Sequence, residues 1–119
     1  MEKTEALAAL AALAQETRLD IYRLLVQVGP EGLPAGHIGE RLGLPSATLA
    51  FHLKELKIAR LVSCTRNGRS LIYAAEYPIM NGLLAYLTEN CCGRDSNRCL
   101  PALQPKVVPK RGRQLKRSA

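Results

Sequence analysis

Three of the four cysteines, Cys91, Cys92 and Cys99, fall close together in the last third of the chain. Adjacent thiols do not close an easy disulfide with each other, because the ring strains the peptide between them. They are suited instead to gripping one soft ion, and Cys99 can loop back across Gly93 to add a third thiolate. Structural zinc takes four ligands. The two histidines, His37 and His52, lie well upstream, and Cys64 stands apart. Three thiolates without nitrogen suit a soft, three-coordinate centre with a lone pair, such as trivalent arsenic or antimony. The competing readings are plain thiols in an irregular segment and a disulfide. A cysteine cluster in a reducing compartment favours metal or redox roles.

Cys92 to Arg98 also spells Cys-x5-Arg, the pattern of low-mass phosphatases and arsenate reductases. In that chemistry the loop joins a strand to a helix, so that backbone N–H groups cradle an oxyanion beneath a thiolate. Here a helical pattern precedes the loop, Pro101 follows it, and no parallel sheet is indicated. The motif lacks its context, and no catalytic residues and no organic cofactor are expected.

A second constellation runs from Pro45 to Ala75. Its first half reads as a short helix with Leu49, Leu53 and Leu56 on one face. Ser46, Thr48, His52, Lys54 and Lys57 are expected to turn outward. Its second half reads as two strands joined at Asn67-Gly68, with Arg66 and Arg69 flanking the turn. A polar helix beside an arginine-tipped hairpin suits duplex DNA, with the helix in the major groove and the hairpin on backbone or minor groove. The rival is a solvated helix face on a small protein-binding module.

Several elements must position these residues. Ala6–Ala14 places Leu7, Leu10 and Leu13 at helical spacing. Thr17–Val28 is a second helix, with Thr17 as its expected cap. Gly29-Pro30-Glu31-Gly32 ends it. Ala35–Leu42 forms a third helix stopped by Gly43, and a fourth opens at Pro45 or Ser46 and reaches about Ala59. That short link is the spacing of a helix-turn-helix. Val62–Arg66 and Arg69–Ala74 make the hairpin, since Asn-Gly is a strong two-residue turn signal. Pro78 starts a fifth helix carrying Ile79, Leu83, Leu84, Tyr86 and Leu87. The first and fifth helices are apolar over more surface than a small monomer covers, which points to a homodimer.

The expected fold is mainly α with a small β-hairpin, a winged helix-turn-helix. Residues 1–90 would form the DNA-binding and dimerisation domain, 91–100 the cysteine segment and 101–119 a basic disordered tail. At 119 residues the chain holds one domain, and 47% apolar composition is enough for one core. Trp is absent and Phe occurs once, so that core is aliphatic. Six of the 17 Lys and Arg lie in residues 101–119 with no acid among them, which leaves residues 1–100 a net charge of +1. The high pI is therefore a property of the tail, and affinity for phosphates must come from local clusters. The N-terminus lacks a basic start and apolar stretch, and no run approaches the ~18 residues of a membrane helix. A cytoplasmic protein with no membrane partner is expected.

Residues Thr17 to Ala75 resemble the ArsR/SmtB-type winged-helix repressors of bacteria. The resemblance rests on Glu16-Thr17-Arg18-Leu19, His52-Leu53-Lys54-x-Leu56, Ala59-x-Leu61-Val62, and Arg66-x-Gly68-Arg69 followed by Tyr73. It covers about half the chain. Phe51 stands where the family often has His, and Arg60 where it usually has Gly. A left-handed Arg60 would cost about 1 kcal/mol against Gly, so a phosphate contact by that side chain is expected. The resemblance implies that Ser46, Thr48 and His52 face bases or backbone, and that Lys54, Arg66 and Arg69 hold phosphates of double-stranded operator DNA. It also implies where an effector binds. Family sites on the third helix and along the fifth have no counterpart here, since Ala35–Leu42 has no Cys and Ile79–Asn90 has no His or Asp. The Cys-Cys…Cys run resembles arsenite-responsive members, implying Cys91, Cys92 and Cys99 as ligands of arsenite, antimonite or methylarsenite. A zinc-, cadmium- or thiol-redox-responsive repressor of the same fold is the alternative.

Overall fold

In the computed structural model, residues 1–94 are described. Helix α1 (Lys3–Leu13) is followed by α2 (Glu16–Val28), the short strand β1 (Leu33–Pro34), α3 (Ala35–Leu42) and α4 (Ser46–Ile58). Strands β2 (Val62–Asn67) and β3 (Ser70–Ala75) lead into α5 (Tyr77–Leu87), and a 3-10 turn spans Cys91–Arg94. Residues Met1–Leu87 form one compact unit, and the cysteine turn belongs to a second that begins at Thr88.

The first unit is held by an aliphatic core. Ile21 and Leu25 from α2, Ile38 from α3, Leu53 and Leu56 from α4, and Leu61 are fully buried. Each contributes roughly 1.5–3 kcal/mol of burial. Helix α1 turns its small residues to the core. Ala6, Ala9 and Ala12 point inward, while Leu7 and Leu10 are exposed. The alanine stripe lets α1 pack closely on α2, α4 and α5. A capping box starts this helix: the Glu2 amide donates to Glu5 Oε1 at 2.9 Å, and the Glu2 side chain answers the Glu5 amide.

The second helix is capped by Gln15, whose side-chain oxygen accepts from the Arg18 amide at 2.8 Å, and not by Thr17. At its far end the Tyr77 hydroxyl donates to the Val26 carbonyl at 3.0 Å, tying α5 to α2. Tyr22 is buried beside them, and its hydroxyl finds no partner among the described residues. Burial, with the Tyr77 charge second, pushes its pKa up to about 12.

The sheet has three strands in the order β1-β3-β2, all antiparallel. Strand β1 was not foreseen: two residues, one of them proline, give no strand signal. Pro34 is tolerated because β1 is an edge. A side chain at Gly32 would run into the Tyr73 carbonyl, so glycine admits this close pairing. The hairpin turn is Gly68-Arg69, one residue later than expected, closed by the Asn67–Ser70 pair. An Asn67-Gly68 turn of type I′ requires positive φ at both residues, and Asn67 is not so placed. Gly68, at φ +64°, leads the turn instead, the position glycine takes in II′ hairpins. Among the described residues no helix is long and apolar enough to cross a membrane.

Candidate nucleic-acid interface

Helices α3 and α4 meet through a three-residue link, Gly43-Leu44-Pro45, and pack on one another. Leu49, Leu53 and Leu56 fix α4 against the core. Ser46, Thr48, Lys54 and Lys57 are exposed, as the apolar spacing predicts. The α4 N-terminus starts at Pro45 without a side-chain cap, leaving its first backbone N–H groups available to an anion.

His52 does not turn outward. It is buried on the same stripe as Leu49, Leu53 and Leu56, to which the spacings i+3, i+4 and i+7 assign it. Its Nδ1 lies 3.3 Å from Arg18 Nη1. Arginine has donors only, so Nδ1 accepts and the ring proton sits on Nε2. Arg18 is itself fixed, because its Nε donates to the Ala12 carbonyl at 2.7 Å. The chain Ala12–Arg18–His52 therefore locks α1, α2 and α4 together. His52 thus orients the helix from behind and is not placed to touch bases. Arg18 was visible in sequence only as a letter of the family pattern. A cation in the first turn of one helix, six residues on from the carbonyl it binds, carries no local signal of this role.

Phe51, the next residue back, lies at the exposed edge of that stripe. It is 56% exposed and meets His52 edge-on, with ring centroids 5.2 Å apart and planes at 64°.

On the wing, Arg66 and Arg69 are both exposed. Arg69 sits in the two-residue turn itself, and Arg66 Nη1 donates weakly to the Gly68 carbonyl at 3.5 Å. Deeper in the hairpin, Cys64 stands opposite Tyr73. Burial first, then the hydrogen bond with Cys64, push the Tyr73 pKa up. Cys64 is thereby occupied within the sheet.

Arg60 is left-handed, with φ +69°. Its guanidinium lies toward α1. Nη1 lies 3.4 Å from Glu5 Oε2 on α1, an exposed pair. Such pairs are worth little, so the strain at the α4–β2 corner is offset elsewhere in the fold.

In the second unit, Cys91 and Cys92 are partly buried and their sulfurs lie 3.5 Å apart. Consecutive side chains normally diverge. Here Cys92 is left-handed, at φ 55° and ψ 33°, between Asn90 at φ 59° and Gly93 at φ 65°. The Cys91 amide donates to the Thr88 carbonyl at 2.9 Å, and the Gly93 amide to Asn90 at 3.2 Å. This tight turn brings both sulfurs to one side. A separation of 3.5 Å lets both reach one centre at the ~2.3 Å typical of metal–thiolate bonds. Cys99 lies outside the described residues, as do Arg98 and the basic tail. Among the described residues no group of three or more metal-ligating side chains forms.

A family described as "Helix-turn-helix domain" matches residues 13–65. The fold is shared with an ArsR-like transcriptional regulator from Rhodococcus, at 28% identity and a TM-score of 0.63, covering 80% of this chain and 86% of that one. HlyU from Vibrio cholerae is 30% identical with a TM-score of 0.59, covering 73% and 97%. A homodimeric winged helix-turn-helix DNA-binding domain from Mycobacterium bovis, a possible ArsR-family regulator, is 23% identical with a TM-score of 0.60, covering 77% and 85%. No curated protein sequence matches the chain. These neighbours are transcriptional regulators, not enzymes.

Proposed function

The chain belongs to the ArsR-like winged helix-turn-helix transcriptional regulators, and from that premise we propose a homodimeric repressor that leaves its operator when trivalent arsenic or antimony is captured by Cys91, Cys92 and Cys99. The observation that carries the effector reading is the 3.5 Å approach of the Cys91 and Cys92 sulfurs, reached through a left-handed Cys92. Holding a non-glycine residue there costs of order 1 kcal/mol. A pair of thiols gathered at that cost is suited to chelation.

Dimerisation is supported by the outward leucines of α1 and α5. Leu7, Leu10 and Leu87 are 57%, 39% and 55% exposed. The homodimeric Mycobacterium bovis neighbour adds to this reading. Two copies would set two α4 helices about 34 Å apart, one turn of duplex.

Ser46, Thr48, Lys54 and Lys57 would meet the major groove and its phosphates, with Arg66 and Arg69 on the flanking backbone. In the effector step each thiol gives its proton to one hydroxide of arsenous acid. Three sulfur–arsenic bonds form and three waters leave. Closing Cys99 onto the vicinal pair reshapes the segment that runs on from α5, and with it the spacing of the two reading helices. Coupling of this kind is typically ~1–3 kcal/mol, a 5–150-fold loss of operator affinity. By reciprocity, operator DNA weakens arsenic binding by the same factor.

A mobility-shift titration of the full chain on DNA from its own upstream region tests this. Arsenite releases the wild-type protein. Cys92→Ser binds the DNA equally well and is not released, and Cys64→Ser behaves like wild type. Release of Cys92→Ser by arsenite removes the proposed site. Release of wild type by zinc, cadmium or oxidant, and not by arsenite, assigns the same fold a different signal.

A further inference from the structure

The chain's single phenylalanine is not in its core. Phe51 projects from the outer face of α4, with exposed Ala47, Thr48 and Lys54 at i−4, i−3 and i+3. Ala47 and Ala50 are short, so the ring stands clear of the helix surface around it. Isolated exposed apolar residues are common. This one differs by its place, on the same face as the polar residues of the reading helix.

The ring is also braced from within the fold. His52 meets it edge-on at 5.2 Å, Arg18 holds His52 at 3.3 Å, and the Ala12 carbonyl holds Arg18 at 2.7 Å. A side chain with two torsions, supported on one flank, loses little freedom when it docks. Base edges in the major groove present donors, acceptors and one apolar group, the C5-methyl of thymine. An aromatic ring presented to that groove has one matching contact.

We propose that Phe51 packs on a thymine methyl and fixes thymine at one position of each half-site. The inference rests on α4 being the element that enters the major groove. It requires a preference read through a methyl group and not through a hydrogen bond.

The test uses the full chain and duplexes selected by it from a random pool, with binding followed by fluorescence anisotropy. Each thymine of the selected sequence is replaced singly by uracil, which removes the methyl and leaves every hydrogen-bonding group in place. One position per half-site loses about fourfold in affinity, the worth of one buried methyl. Placing 5-methylcytosine there keeps the methyl, so it retains more affinity than cytosine does. In Phe51→Ala, thymine and uracil duplexes bind alike at that position. Uracil tolerated at every position by wild type, or a methyl effect that survives in Phe51→Ala, overturns the proposal and leaves DNA binding intact. Failure to enrich any duplex overturns the DNA reading itself, and this inference with it.

Discussion

Helix α4 and the β2–β3 hairpin both carry exposed cations, yet they are held in different ways. Helix α4 buries Leu49, His52, Leu53 and Leu56, so its register against the core is fixed by packing and by one part-buried polar contact. The hairpin buries only Val62 and Ala75 at its base, and every residue from Thr65 to Leu71 is exposed. Its shape comes from the backbone ladder and the Gly68 turn. A side chain fixed against a core is placed well enough to distinguish bases. A side chain at the end of a ladder suits phosphate, which demands charge and little angular accuracy.

Three substitutions probe that contrast, in descending size. Arg18→Ala is expected to cost about 2–3 kcal/mol, because it strands the buried His52 Nδ1 and the Ala12 carbonyl together. Urea unfolding measures it. A cost below ~0.5 kcal/mol would show that α4 is placed by its leucines alone. Gly68→Val puts a β-branched residue at φ +64° and should cost about 1–2 kcal/mol. Its signature is faster amide exchange around Thr65 to Leu71, with α4 amides protected as in wild type. Arg69→Ala should leave the urea midpoint unchanged. It is expected to weaken binding to every duplex alike and to lower the salt slope by about one unit. A loss confined to one sequence would move Arg69 from positioning to base reading.

Where periodicity and turn chemistry carried the argument, the sequence was legible. Helices α3 and α4 fall where Gly43 and Pro45 place them. The hairpin is right in kind and one residue out in register, since Asn67-Gly68 and Gly68-Arg69 both satisfy a two-residue loop. His52 was misjudged for an instructive reason. Its spacing from Leu49 and Leu56 marked it as inward, but its polarity argued outward, and its partner Arg18 sits 34 residues away. Pairs that distant in sequence leave no local trace. Helix α1 hid its facing similarly, because alanine and leucine are both apolar and only the close approach to its neighbours selects the smaller stripe. Of the cysteine cluster, the vicinal geometry of Cys91 and Cys92 is described, and the left-handed turn that creates it has no signature beyond Gly93.

The outward leucines of α1 have a thermodynamic consequence. In the proposed dimer, a helix that keeps its small residues for its own fold and turns its leucines to a second copy would make stability a matter of mass action. Melting temperature should climb with protein concentration, and Leu7→Lys should abolish the climb while leaving the dilute protein's transition in place. The cell's supply of the regulator would then set how much of it is folded, as well as how much of it is bound.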